Sequence, residues 1–151
     1  MSIMIDKKDQ LILQEFKKNA RISTIKLASN INIPRVTVHD RIQKLIEGKI
    51  IRSFTILPDY EKLGLTTTVF AFVALNSCES NVSASNIAKK ITDFPGVFEV
   101  YIVAGEYDIL IKIRGSSFND IGKNVLAKIK QIKGVGRTYT CPCFTTVKEI
   151  I

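Results

Sequence analysis

Two stretches of the chain hold residue types whose spacing suits recognition chemistry. Between Lys17 and Arg52 stand nine Lys or Arg residues against two acids, Asp40 and Glu47. Within that stretch Arg35, Thr37, His39, Arg41 and Lys44 fall on successive turns of one helical pattern. Guanidinium, imidazole, hydroxyl and ammonium groups on one helix suit a polyanion, with cations meeting phosphates and directional donors meeting base edges. The second stretch is Ala104-Gly105-Glu106-Tyr107-Asp108. Its glycine permits an unusual turn and a close approach to backbone amides, and Asp108 can receive an α-ammonium group. A tight hairpin with Asp as a turn residue explains the same residues without any ligand.

Little else can carry a reaction. His39 is the single histidine, and no P-loop, Gly-x-Gly-x-x-Gly or nucleophile with a plausible base occurs, so no catalytic residue is expected. Cys141-Pro142-Cys143 places two thiols on one face of a strand, with Cys78 distant. Two or three thiolates without further ligands make a poor zinc site, so structural cysteines are expected, with no metal and no cofactor. An odd cysteine count does not make a disulfide framework.

The elements that position these residues follow from periodicity. Asp6 to Lys18 reads as a helix with Asp6 as its N-cap and Ile12, Leu13 and Phe16 on one face. Ser23 caps a short second helix, Thr24 to Asn30, and Asn32-Ile33-Pro34 turns the chain into a third, Pro34 to Glu47. Val38, Ile42 and Leu45 form the buried stripe of that third helix, leaving Val36, Asp40, Gln43 and Lys44 on the opposite side. This is a helix-turn-helix. In a DNA major groove Arg35 and His39 are assigned to base edges, and Thr37, Arg41 and Lys44 to the backbone with Ser23 assisting. Asp40 can accept from a cytosine amine or pair with Lys44, and a salt bridge inside the domain competes for Arg41.

Ile50 to Leu57 reads as a strand closed by Pro58-Asp59. Beyond it a unit repeats: strand 66–76, a Ser-rich turn, helix 83–93, then Gly96-Val97 opening a strand to Ala104; and strand 107–114, helix 118–131, then Gly134-Val135 opening the last strand. The order is βαββαβ, a ferredoxin-like arrangement, so the fold class is α+β. The expected domains are 1–50, a linker strand and turn at 51–65, and 66–151. Two helices cover one sheet face, and the apolar residues of the other argue for self-association.

Composition agrees. The 151 residues are 46% hydrophobic and 24% charged with a net charge of +8, which excludes wholesale disorder. No apolar run approaches a membrane span and no signal peptide is evident, so a cytoplasmic protein without a membrane partner is expected.

The chain resembles the leucine-responsive regulatory protein (Lrp/AsnC, feast/famine) family. Asp6-x-x-Asp9, Asn19-Ala20-Arg21-Ile22-Ser23, Leu27-Ala28, Thr37-Val38-x-x-Arg41-Ile42-x-x-Leu45 and Ile50-Ile51 are similar to its DNA-binding half. Gly105-x-Tyr107-Asp108 and Gly134-Val135-x-x-Thr138-x-Thr140 are similar to its effector-binding half. The resemblance implies a transcriptional regulator with a winged-type helix-turn-helix and a ligand-sensing domain. It also implies dimers assembling further, commonly to octamers, with an amino-acid effector between dimers. By resemblance the effector contacts are Gly105, Tyr107, Asp108, Thr138 and Thr140; Tyr101 and Val103 are added for their nearness to the hairpin. Pro34 stands where the family usually has Ser, and Lys49 where it usually has Gly. The alternatives are a ligand-sensing subunit acting on an enzyme through the ferredoxin-like domain, and an RNA-binding module.

Overall fold

The computed structural model describes residues 5–76 and 83–149; the Ser-rich turn and Cys78 lie outside them. The chain divides into two compact units, Met1–Ile56 and Leu57–Ile151, a division that falls inside the segment 51–65.

In the first unit α1 (Lys7–Lys18), α2 (Thr24–Ile31) and α3 (Arg35–Glu47) form where their apolar stripes predict. The Asp6 carboxylate accepts the N–H of Lys8 at 2.8 Å and of Asp9 at 3.0 Å, while the Asp9 carboxylate accepts the N–H of Asp6 at 3.1 Å. This reciprocal box satisfies donors that the first turn of α1 would otherwise leave unpaired. Ser23 caps α2 with a single bond, its hydroxyl accepting the N–H of Lys26 at 3.3 Å. Ile12, Leu27, Ala28, Ile33, Val38, Ile42 and Leu45 make the core, with Leu13, Phe16, Ile22, Ile31 and Ile51 packed around it.

Both departures from the family pattern have local consequences. Pro34 occupies the N-cap of α3 and supplies no side-chain hydrogen bond. At the other end Gly48 stays right-handed at φ −76°, and Lys49 takes the left-handed turn at φ +56°. The N–H groups of Ile50 and Ile51 then return to the carbonyl of Leu45. A lysine thus occupies the conformation that glycine adopts most easily.

The strand expected at Ile50 to Leu57 is not formed among the described residues. Among the described residues no backbone hydrogen bond engages residues 52–58, and Phe54, Ile56 and Leu57 are exposed. The run has strand composition, but a ladder needs a second strand, and the described chain brings none alongside it.

The second unit is a four-stranded antiparallel sheet of β1 (Thr67–Leu75), β2 (Val97–Ile102), β3 (Ile109–Gly115) and β4 (Val135–Pro142) in the order β2-β3-β1-β4. This is the ferredoxin-like order. Val69, Ala71 and Val73 stand opposite Ile113, Ile111 and Ile109. All six are buried on one face with Ile87, Ala88 and Ile91 of α4 (Ala84–Thr92). Ile121, Val125 and Ile129 complete that layer from α5 (Phe118–Ile121), a π-helical turn (Gly122–Leu126) and α6 (Ala127–Lys130), where periodicity predicts one helix. The loop before β2 requires glycine, because Gly96 has φ +88° and a Cβ there would lie 2.8 Å from the Arg114 carbonyl.

The opposite face carries Phe70, Phe72, Leu110, Lys112, Arg114, Tyr139 and Cys141 by register. Cys143 and residues 145–149 border a cavity of 600 Å³ there, lined also by Thr68, Phe70, Glu99 and Lys112. Glu149 accepts from Arg114 at 2.6 Å through both oxygens and from Lys112, which also meets Glu99 at 3.2 Å. The Arg114 guanidinium stacks 4.0 Å above the Tyr60 ring. Lys112 and then Arg114 hold the Glu149 carboxyl below its ordinary value. Burial disfavours the Lys112 charge, but Glu149 and Glu99 overcome it and leave its pKa raised.

Replacing Lys49 by Gly relieves a left-handed β-carbon at little structural cost. Lys49→Gly is expected to stabilise the first unit by about 0.5–1 kcal/mol, read as a higher urea midpoint by far-UV circular dichroism. An unchanged or lower midpoint contradicts the assignment.

Candidate functional site

The residues of α3 expected to meet a polyanion divide between two edges of the helix. On one edge Arg35 and His39 are exposed, and neither has a hydrogen-bond or ion-pair partner among the described residues. On the other edge Arg41 donates to Asp9 at 2.8 Å and to Asp6 at 2.8 Å. Arg41, expected at a phosphate, thus has its guanidinium engaged by two carboxylates of α1 and its cap. Its role in the fold is to hold α3 against α1. The Asp9 carboxylate, countering partial burial, raises the Arg41 pKa, with Asp6 adding to it. The Asp6 carboxyl is lowered, first by the Asp9 amide it accepts and then by Arg41. A lowered carboxyl stabilises the fold above its ordinary value near ~4, and that contribution is lost as pH falls through the depressed value.

Thr37 and Lys44 border the same recess, which Asp6, Asp9 and Asp40 also line. Three carboxylates beside two cations weaken that edge as a phosphate site. The Arg35–His39 edge and the exposed Val36, Asp40 and Gln43 are the surface a polyanion can approach. Ser23 lies at the start of α2, with its hydroxyl already engaged as the cap.

In the second unit the hairpin 103–108 closes at one end of the sheet. Val103 donates to the Asp108 carbonyl at 2.9 Å, and the Asp108 N–H donates to the Val73 carbonyl at 2.9 Å. The Asp108 carboxylate accepts the N–H of Leu75 at 2.7 Å, so it ties the hairpin to the end of β1. Gly105 has φ +139°, and a β-carbon added there would meet nothing within 4 Å, so backbone conformation rather than crowding calls for glycine. No hydrogen bond among the described residues engages the N–H groups of Gly105, Glu106 or Tyr107.

The other expected effector residues are divided between the two faces of the sheet, Tyr101 standing opposite Leu110 on the face that the helices leave open. Thr138 pairs with Val73 and Thr140 with Ala71, placing both half-buried on the helix-covered face. Tyr107 instead joins Phe72, with ring centroids 5.5 Å apart, and Tyr139, at 6.4 Å. Tyr101 is exposed and donates to Glu99 at 2.6 Å, which raises the Tyr101 pKa and, with Lys112, lowers that of Glu99. Val103 is also exposed. Two residues absent from the sequence-based set, Glu106 and Arg137, pair at 2.6 Å and bridge the hairpin to β4. Arg137 also lies 5.2 Å above the Tyr107 ring. Only strand register brings them together.

Among the described residues no cluster of three His, Cys, Asp or Glu is placed to hold a metal ion. Cys141 is exposed and Cys143 half-buried, and both thiols are free. No helix there is long and apolar enough to cross a membrane.

Comparison with known proteins decides the family. Residues 68–150 match the Lrp/AsnC ligand binding domain, and residues 5–52 match a winged helix-turn-helix DNA-binding domain. The chain belongs to the Lrp/AsnC family. An uncharacterised HTH-type transcriptional regulator of Pyrococcus furiosus is 45% identical over 151 residues, covering all of both chains. The structure of AsnC from E. coli superposes with a TM-score of 0.86 at 25% identity, covering 99% of this chain and 98% of that one. A transcriptional regulator of Neisseria meningitidis in complex with L-methionine gives a TM-score of 0.88 at 22% identity, covering 97% and 94%. This Lrp/AsnC chain is therefore a transcriptional regulator with DNA as a partner, and it is not an enzyme. The enzyme-subunit alternative finds no support.

The two edges of α3 make different predictions for this regulator. Arg35→Ala is expected to weaken duplex DNA binding and reduce its dependence on salt while leaving the urea midpoint unchanged. Arg41→Ala is expected to lower stability by about 1 kcal/mol, with the salt slope of the folded protein retained. A salt slope lost in Arg41→Ala but kept in Arg35→Ala reverses the assignment.

Proposed function

We propose that the chain is a sequence-specific regulator whose assembly and DNA binding respond to an amino-acid effector. The observation that carries this reading is the hairpin 105–108, where the N–H groups of Gly105, Glu106 and Tyr107 have no partner among the described residues and a carboxylate, Asp108, follows them in the chain. An α-amino acid presents a carboxylate to accept from such amides and an ammonium group to meet Asp108. The L-methionine complex of the Neisseria meningitidis regulator, which shares the fold, supports an amino acid as the ligand class.

In this reading Gly105, Tyr107 and Asp108 hold the backbone of the effector, while Thr138, Thr140, Tyr101 and Val103 border it. Arg35 and His39 are the leading contacts of the helix-turn-helix, with Thr37, Lys44 and the start of α2 at Ser23 assisting at the backbone. Arg41 keeps only its positioning role. Residues 51–65 join a DNA-binding domain at 1–50 to an effector and assembly domain at 66–151. The protein acts in the cytoplasm as a dimer that assembles further, to an octamer or a similar oligomer. An effector held between dimers favours one assembly by its differential affinity, and the assembly sets how many half-sites are engaged together.

Titrating the twenty amino acids one at a time while following mass by light scattering tests the reading. At least one is expected to shift the oligomer distribution, and Asp108→Ala is expected to abolish that shift. No response to any of the twenty leaves DNA binding without an amino-acid signal and overturns the proposal.

A further inference from the structure

The exposed side of α3 carries a feature that charge does not explain. Val36 is 73% exposed at the second position of the helix, between Arg35 and Thr37. It is diametrically opposite the stripe of Val38, Ile42 and Leu45, so it contributes nothing to the core. An exposed valine is also a poorer helix former than alanine, so local stability does not call for it. Single exposed apolar residues are common on proteins, and exposure alone assigns no role to this one. Its neighbours along the helix do.

Asp40 and Gln43 follow Val36 at i+4 and i+7 and are both exposed, making one line down the centre of the outward face. Cations flank that line, with Arg35 and His39 on one side and Lys44 on the other. Val36 and Asp40 offer a phosphate no donor, and Gln43 offers only a neutral one. They suit the edges of bases, where methyl groups, amines and paired donor–acceptor sites occur side by side. Among base edges in the major groove, only thymine presents a methyl group, at its C5. A valine in a helix is held largely to one rotamer, so its two methyl groups are already ordered for such a contact.

We propose that Val36 is a specificity-determining residue that packs against the 5-methyl group of a thymine in the major groove. The inference rests on the DNA-binding reading above and deepens it. Arg35 and His39 then flank the contact, and Asp40 and Gln43 read the bases that follow it.

The test begins with the full-length protein selecting duplexes from a random pool at moderate salt. Thymines of the enriched site are then replaced one at a time by deoxyuridine, which removes only the 5-methyl group. At one thymine in each half-site the wild-type chain is expected to lose about fourfold in affinity, the worth of one buried methyl. Val36→Ala is expected to bind the thymine duplex more weakly than wild type and to show no further loss with deoxyuridine there. Unchanged circular dichroism and urea midpoint establish that this variant is folded. Uracil tolerated at every position by the wild type, or a uracil penalty that persists in Val36→Ala, overturns the inference while leaving DNA binding intact. A pool that yields no enriched sequence overturns sequence-specific recognition itself, and the inference with it.

Discussion

One ion pair cluster organises the recognition surface. Arg41 bound to Asp9 and Asp6 joins α3 to the start of α1, and the same two acids form the capping box that begins α1. Helix initiation, helix docking and surface charge are therefore settled by one group of side chains. Because Arg41 neutralises those acids from within, the α1–α3 edge offers less to a polyanion than its residue types suggest. The exposed central line of α3 and its Arg35–His39 edge remain available. Partial exposure keeps such a pair modest in energy, but its geometry decides how the helix presents itself.

The second unit applies a similar division to a sheet. Strict alternation on β1 and β3 places Val and Ile beneath the helices and sends Phe70, Phe72, Lys112 and Arg114 to the other face. Two cations on that face are matched by Glu99 and Glu149, so the charge there is largely internal. The hairpin at the sheet end differs because the N–H groups of Gly105, Glu106 and Tyr107 lack partners among the described residues, while the Asp108 carboxylate anchors it to β1 and that of Glu106 to β4.

Most of the architecture was legible in the sequence because its causes are local. The Asp6 cap, the stripe of Val38, Ile42 and Leu45, and the two Gly-Val openings each act within a few residues. Both glycines before those valines have positive φ, which is why the repeat could be read. What remained hidden depends on distant partners. Arg41 and Asp9 are separated by 32 positions, so composition could propose a salt bridge but could not choose it over phosphate. Tyr107, Tyr139, Glu106 and Arg137 meet only through strand register. The run 50–57 had the composition of a strand and lacked only a neighbour, a property no window of sequence contains. The assignment of Asp108 to an ammonium group rested on its charge, whereas its bond to the Leu75 amide depends on how β1 ends.

The functional account joins a DNA-reading helix to a ligand-sensing sheet through assembly, and its central claim is energetic coupling between them. Calorimetry of the effector amino acid with the full-length chain, alone and with saturating duplex DNA, tests that claim directly. The account predicts that DNA changes the effector affinity by the same factor, about 5–150, by which the effector changes DNA affinity. Identical effector affinities with and without DNA would contradict it.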